Sequence, residues 1–144
     1  MSAMSDYLEN KLVDQLFRGQ TAPTTTTLYV ALYTAAPSDT GGGTEVSGNN
    51  YSRVAVTSSL ANWAGTQSAG SSTASSGTGG QTSNNGSITF PTPSATWGTV
   101  THFAIYDATS GGNELFWGAL TISKTINSGD TVSFPAASLS ITFA

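Results

Sequence analysis

Apolar and polar residues alternate in short runs along this chain after residue 19, and clusters of Gly, Pro, Asn and Asp separate the runs. Alternation with a period of two is typical of a strand with one buried face, and the intervening residues are those that turns favour. About seven runs follow one another, at residues 27–34, 51–57, 87–90, 100–107, 114–122, 131–134 and 139–143. Together they predict a mainly β chain, folded as an antiparallel β-sandwich of the jelly-roll or Ig-like type.

The run at residues 27–34 has apolar side chains on both faces. Leu28, Val30 and Leu32 share one face, and the other carries two tyrosines with an alanine between them. A strand that is apolar on both faces has to be covered on both, so we expect a central position in the sheet.

One segment, residues 5–19, has the period of an amphipathic helix. Its apolar residues form one stripe, which holds Leu8, Leu12, Val13, Leu16 and Phe17. Asp6, with Glu9 three residues later, is the expected N-cap, and Gly19 is the expected left-handed end. The stripe covers either the sheet of its own domain or a neighbouring subunit. We expect the first, because most amphipathic helices complete a local core.

The segment 65–86 contains no charged residue and no aliphatic residue larger than alanine. Such a segment cannot bury enough surface to offset the entropy lost on ordering, so we predict a flexible Gly/Ser-rich loop. A chain of 144 residues has the usual size of one domain, and we predict a single β-sandwich domain over residues 1–144.

Charged residues make up only 8% of the chain, against roughly 25% in an average soluble domain. A surface with so little charge suits a subunit that lies packed in an assembly. The net charge is −4, and the few cations are scattered, at Lys11, Arg18, Arg53 and Lys124. Nucleic-acid binding needs clustered cations, so we expect no direct contact with nucleic acid.

The sequence has no cysteine, no apolar run that approaches ~18 residues and no signal-peptide pattern at its N-terminus. We therefore expect no disulfide, no membrane contact and folding in a cytoplasm.

No grouping of residues predicts an enzyme. His102, the only histidine, lies inside an alternating run without a marked nucleophile or orienting partner. The carboxylates fall in the helix or near turns, where Asp107 and Asp130 are positioned to cap a turn. Residues 41–43, three glycines, lack the lysine and helix of a phosphate-binding loop. We expect no catalytic residue, no metal site and no cofactor.

Aromatic side chains are the remaining candidates for a role in binding, as core and interface residues or as a stacking platform for sugars. If the chain has an interface, we expect its anchors among six of them: Tyr7, Phe17, Tyr33, Tyr51, Trp63 and Trp97.

Three stretches resemble a known family: SDYLENKLVDQLFRGQ, TLYVALYTAAPSDTGGGTEVSGNNYSRVAV and ATWGTVTHFAIYDATSGGNELFWGALTISKTINSGDTVSFPAASLSITF. They are similar to small virion proteins of tailed phages and prophages, often labelled phage tail fibre proteins, over residues 5 to about 60 and about 88 to 143. The resemblance implies a virion structural protein, assembled in the bacterial host cytoplasm, that works by binding other proteins.

Three functions stay open. A fibre is long, and length comes from coiled heptads, triple-stranded β repeats or collagen-like repeats, none of which this chain has. The leading expectation is a capsid decoration (cement) protein, a dimer or trimer that binds and stabilises the major capsid protein lattice. The alternative is a tail fibre or tail adaptor protein whose helix docks to other tail proteins. The third is a glycan-binding or glycan-cleaving protein, with Asp107 and Glu114 near Trp117.

Overall fold

The computed structural model describes residues 2–143. Within that range the chain forms one helix and ten strands: β1 (Ser2–Met4), α1 (Asp6–Arg18), β2 (Thr27–Ala35), β3 (Thr44–Glu45), β4 (Val54–Thr57), β5 (Gln81–Ser83), β6 (Ile88–Thr89), β7 (Gly98–Tyr106), β8 (Glu114–Ile126), β9 (Ser133–Phe134) and β10 (Ser140–Thr142). All of the strand pairs in this range are antiparallel. The prediction of a mainly β, antiparallel fold with one N-terminal helix is confirmed. The short strands β1, β3 and β5 carry no alternating apolar run and were missed.

Six strands form the main sheet, in the order β1-β8-β7-β2-β3, with β4 also paired to β2. Strand β2 pairs with β7 along one edge and shares its other edge between two short strands. Val54–Thr57 pairs with the first half of β2, while Tyr33 and Ala35 face β3. The predicted central position of β2 is therefore correct.

The main core lies on one face of this sheet, under two small ribbons, β5–β10 and β6–β9. Apolar residues of β2, β7 and β8 meet apolar residues of the ribbons and of the segments beside them. The most deeply buried members are Val30, Val100, Ile105, Leu139 and Ile141. The two layers, with apolar side chains between them, form a sandwich-like arrangement.

A smaller apolar cluster lies on the opposite face of the sheet, and its buried members are Ala31, Tyr33, Ala104 and Tyr106. Ala31 pairs with Ala104 across β2 and β7, and both are fully buried. Because alanine is small, the pair leaves room for the two tyrosines, whose hydroxyl groups hydrogen-bond to each other. Both faces of the central strands are therefore covered.

The N-cap of helix α1 lies one residue before the predicted cap. Ser5, and not Asp6, is the N-cap, because its hydroxyl accepts a hydrogen bond from the Leu8 amide at 3.3 Å. Gly19 ends the helix as predicted, with φ at 66° in the left-handed region. Neither its length nor its composition would let α1 span a membrane, and residues 2–143 contain no other helix.

The apolar stripe of α1 contributes to a local core only at the start of the helix, which corrects the expectation from its amphipathic pattern for the rest of the stripe. Tyr7 and Leu8 pack against the main core, but no residue of the helix is buried. Val13, Leu16 and Phe17 are 50%, 71% and 82% exposed. The helix is held at its base, and its second half projects from the domain.

The segment predicted as a flexible loop, 65–86, is partly regular structure. Gln81–Ser83 forms β5 and pairs with β10. Asn84 is 1% exposed, and its side chain bonds backbone groups of Gly86, Phe134, Pro135 and Leu139. The predicted loop therefore ends before β5, because polar side chains such as Asn84 are ordered by backbone groups that are distant in sequence. Flexibility of residues 65–80 stays a prediction.

The main core makes a quantitative prediction. Ile105 is 2% exposed and lies at the centre of the sheet, so Ile105→Ala is expected to lower the free energy of unfolding by about 2–5 kcal/mol. Leu60→Ala, at a position that is 56% exposed, is the control and is expected to change it by less than about 0.5 kcal/mol. Urea denaturation followed by tryptophan fluorescence measures both. Equal effects of the two substitutions would contradict the assigned core.

Candidate functional site

The exposed half of α1 is the first candidate binding surface, and we call it the helix stripe: Val13, Leu16 and Phe17. Leu16 and Phe17 follow Val13 by three and four positions, so both neighbour it on the helix surface and the three form one apolar patch. An apolar patch of this kind, exposed on a short helix, marks a protein-binding surface more often than a structural one. Beside it, Arg18 and Asp14 form an ion pair at 2.9 Å, with the Arg18 side chain 70% exposed.

The base of α1 is fixed by hydrogen bonds to the start of β8 and to the loop that follows β2. The Ser5 amide donates to the Leu115 carbonyl at 3.0 Å, and the Ser5 hydroxyl donates to the Glu114 carbonyl. The Asp6 amide donates to the Asp39 carbonyl at 2.9 Å. Ser5 itself is 1% exposed. These hydrogen bonds therefore fix the first residues of the helix that carries the helix stripe.

An apolar cleft of about 460 Å³ is the second candidate surface, and we call it the β8 cleft. It lies where the main sheet and the second layer separate, between residues 119–126 on one side and 132–142 on the other. Leu32, Val100 and Phe103, all buried, are among the residues at its base. Lys124 is the only charged residue that lines it within residues 2–143.

The wall of the β8 cleft is an irregular part of β8. Ala119 pairs with His102 and Lys124 pairs with Val100, so four residues of β8 lie opposite one residue of β7. A bulge of this kind turns the strand away from its partner and leaves its backbone exposed. Ile122, within the bulge, is 69% exposed. This wall is therefore open to a partner.

A buried ion pair ties together the loops on the other face of the sheet. The Arg53 side chain is 7% exposed and donates two hydrogen bonds to the Glu45 carboxylate, each 2.8 Å long. It also donates to the carbonyl groups of Ala108 and Gly111, at 3.0 and 2.8 Å. Its guanidinium lies 3.6 Å from the centre of the Tyr106 ring. One arginine thus holds the β7–β8 turn against the end of β3.

A hydrogen-bonded chain of tyrosines ends at a buried carboxyl group. The Tyr106 hydroxyl is bonded to Tyr33 and donates to Glu114 Oε2 at 3.0 Å. Glu114 is 7% exposed, and its Oε1 has no hydrogen-bond partner among the described residues. Burial raises the pKa of Glu114 to about 7, and the nearby Asp39 adds to the rise. Burial also raises the pKa of Tyr106.

The side chains considered for catalysis form hydrogen bonds with nearby residues of their own turn or strand. Asp107 accepts from the backbone and side-chain nitrogens of Asn113, each at 2.7 Å, and Asp130 accepts from the Asn127 amide at 2.8 Å. Both carboxylates therefore cap turns. His102 Nδ1 bonds the hydroxyl of its neighbour, Thr101. No group of three or more His, Cys, Asp or Glu side chains in the described part of the chain could hold a metal ion.

The two carboxylates considered for glycan chemistry, Asp107 and Glu114, have different surroundings. Asp107 holds the β7–β8 turn, while Glu114 is buried under Tyr106. Trp117 donates its ring N–H to Asp39 at 3.0 Å and stands beside His102. The arrangement gives these residues roles in turn and core structure.

Comparison with known protein families identifies one match. Residues 3–142 match the family described as Podophage GP4 fiber I protein gp80. The chain belongs to this family. A search of curated proteins found no match. The expected resemblance to phage virion proteins labelled as tail fibre proteins is therefore confirmed over nearly the whole chain.

The family assignment bears on the two leading expectations, a capsid decoration protein and a tail fibre protein. A podophage fibre protein is a structural protein of a phage particle, as expected from the sequence. The assignment supports the tail fibre alternative and gives no support to capsid decoration. Low charge, a compact fold, no grouping of catalytic residues and no repeats that produce length favour decoration only if one chain alone has to make a fibre.

The six aromatic anchor candidates of this fibre protein have different surroundings. Tyr33 and Trp97 are 3% and 6% exposed, so both side chains lie in the core of this chain. Tyr51 packs between Phe90 and Trp97, and its hydroxyl accepts from the Leu32 amide at 3.0 Å. Tyr7 and Trp63 are half-buried against the main core.

Phe17 is the one aromatic candidate that the structure exposes strongly. Ranking by aromatic character missed two aliphatic residues, Leu16 and Ile122, which are 71% and 69% exposed. The amphipathic pattern of the helix indicates that Leu16 could be an exposed apolar residue. No feature of the sequence indicates that Ile122 is exposed, since alternation alone places it in an ordinary strand.

Glu114 predicts a pH dependence of stability for the fibre protein. Its carboxyl pKa rises from 4.5 in the unfolded chain to about 7 in the folded one. Unfolding then releases a proton, so the stability that Glu114 contributes is present below pH 4.5 and is lost as the pH rises towards 7. Relative to Glu114→Gln, the wild-type free energy of unfolding should fall by up to about 3 kcal/mol between pH 4.5 and pH 8.

Denaturation curves of both proteins at several pH values measure this difference. Glu9→Gln, which removes an exposed carboxylate from α1, serves as the control and should follow the wild type. A constant difference between wild type and Glu114→Gln across this pH range would show that burial does not perturb Glu114.

Arg53 predicts a large effect of removing one partner from a buried pair. Arg53→Met should lower the free energy of unfolding by about 2–4 kcal/mol, because it leaves two loop carbonyls without their side-chain donor and Glu45 with the Tyr51 hydroxyl in place of a cation. Arg18→Met removes an exposed ion pair and is the matched control, with an expected loss below about 1 kcal/mol. Amide hydrogen exchange should also accelerate at residues 108–112 in the Arg53 variant alone. Similar losses for both variants would contradict the role assigned to Arg53.

Proposed function

We propose that this chain is a structural component of a podophage tail fibre that attaches through its helix stripe to another protein of the tail, and that it acts by binding and not by catalysis. The observation that carries the proposal is the exposure of Leu16 and Phe17 on a helix whose base is fixed to the sheet. The family match supports a place in the fibre.

The helix stripe has the form that helix-in-groove recognition uses. Such helices present apolar anchors at spacings of three and four residues, and the partner supplies an apolar groove. Val13, Leu16 and Phe17 have this spacing. Burying Leu16 and Phe17 would contribute roughly 1.5–3 kcal/mol each. That is a substantial part of the roughly 8 kcal/mol of a micromolar complex.

The low charge of the chain supports the same function. With 8% charged residues, the surface is mostly Ser, Thr, Gly, Asn and Ala, and a partner that covers it has few ions to desolvate. The charged pair that is buried, Arg53 with Glu45, lies inside the domain and serves its own stability. The free charges near the helix stripe are those of α1 itself.

Incorporation into particles tests the proposal. Phage that encode the double variant Leu16→Ser, Phe17→Ser should assemble particles that contain much less of this protein, by about tenfold or more, as measured by quantitative mass spectrometry of purified virions. Leu60→Ser, which removes an apolar residue that is 56% exposed elsewhere, is the matched control and should be incorporated normally.

Copy number in the wild-type particle is the second readout of the same experiment. A fibre component is present in fewer copies than the major capsid protein, whereas a decoration protein covers the head in a comparable number. Normal incorporation of the helix double variant, or a copy number close to that of the major capsid protein, would overturn the proposal.

A further inference from the structure

The family assignment raises the question of how a chain without sequence repeats produces a long fibre. A fibre is long, yet the chain has no heptads, no collagen-like repeat and no repeated β motif, and it folds into a single short unit. Length can then come from copies that follow one another. A head-to-tail contact between two different surfaces of the same chain produces such a row, whereas a symmetric contact stops at a dimer.

The structure presents two unlike surfaces that suit this contact. The helix stripe is a projecting apolar surface, and Phe17 at 82% exposure is its most exposed member. The β8 cleft is a recessed apolar surface of about 460 Å³. Pockets that bind small molecules span roughly 300–1,000 Å³, so the cleft has room for two adjacent side chains such as Leu16 and Phe17.

The charges of the two surfaces are complementary. Glu9 precedes Val13 by four residues and Leu16 by seven, so it lies on the same side of α1 as the helix stripe, and it is exposed. Lys124 is exposed and is the only charged residue lining the β8 cleft in the described range. An acidic residue beside the projecting surface therefore meets a basic residue beside the recessed one. Pairing two β8 clefts would instead offer Lys124 no acidic partner, since no other charged residue of the described range lines the cleft.

We propose that the occupant of the β8 cleft is the helix stripe of a second copy of this chain, so that copies assemble head to tail. This inference rests on the proposed function, and it names the first partner of the helix stripe as another copy of the fibre protein. Ile122 and Lys124 border the site, and Leu16 and Phe17 enter it. At the end of a row, the free helix stripe meets the tail protein to which the fibre attaches.

Complementation between two variants tests the proposal. The helix variant carries Leu16→Ser and Phe17→Ser, and the cleft variant carries Ile122→Asp and Lys124→Glu. All four positions are exposed, so both variants are expected to fold, and circular dichroism checks this. Leu60→Ser is again the control. Sedimentation velocity over a wide range of protein concentration gives the size of the assemblies.

The wild type and the Leu60→Ser control should form species whose mass grows with concentration. Each variant alone should associate at least about a hundredfold more weakly and remain a monomer. An equimolar mixture should form a dimer and nothing longer, because the helix variant keeps its cleft and the cleft variant keeps its helix stripe. That dimer should not form in either variant alone.

Three results would overturn the proposal: a wild type that is monomeric at all concentrations, a closed dimer whose mass does not grow, and a mixture of variants that stays monomeric. These results differ from the failure of the proposed function, which is scored by incorporation into particles. A monomeric wild type together with poor incorporation of the helix variant would refute head-to-tail assembly and leave attachment through the helix stripe standing.

Discussion

Burial of both faces of the central strands is the constraint on which the rest of this structure depends. Strand β2 lies between β7 and the two short strands β3 and β4, and its residues Val30 and Ala31 point to opposite faces with no exposure. One face is covered by the two ribbons, and the other by tyrosines and loops. A chain with few charges and no disulfide has packing and hydrogen bonds as its source of stability.

On the second face of the sheet, polar side chains are buried beside apolar ones because they bond to one another. Arg53 covers the Tyr106 ring and binds the turn that follows β7, and Glu45 neutralises its charge. Glu114 accepts a hydrogen bond from the Tyr106 hydroxyl. The network costs desolvation free energy, but it fixes the β7–β8 turn relative to the end of β3. The N-cap of α1 bonds one of the same segments, through the Glu114 carbonyl, so the network also sets where the helix begins.

A small domain can serve a long assembly when its binding surfaces are placed apart and differ from each other. In this fibre protein the helix stripe projects, and the β8 cleft opens where the two layers of the sandwich separate. The absence of repeats, which at first favoured a role on the capsid, is compatible with a fibre because contacts between copies can supply the length. Because the surface carries little charge, each contact between copies desolvates few ions.

The sequence by itself determined the helix, the longer strands and the class of the fold. Periods of two and of 3.6 residues are local, so the runs at residues 27–34 and 100–107, the helix and its end at Gly19 could be read directly, and the motifs indicated the family. Only the tertiary structure decided which apolar surfaces stay open. An apolar stripe such as that of Leu16 and Phe17 has the same pattern whether it is covered or exposed. Likewise, the burial of Tyr33, Trp97 and Asn84 and the bulge that exposes Ile122 depend on strand register and on contacts between residues far apart in the chain.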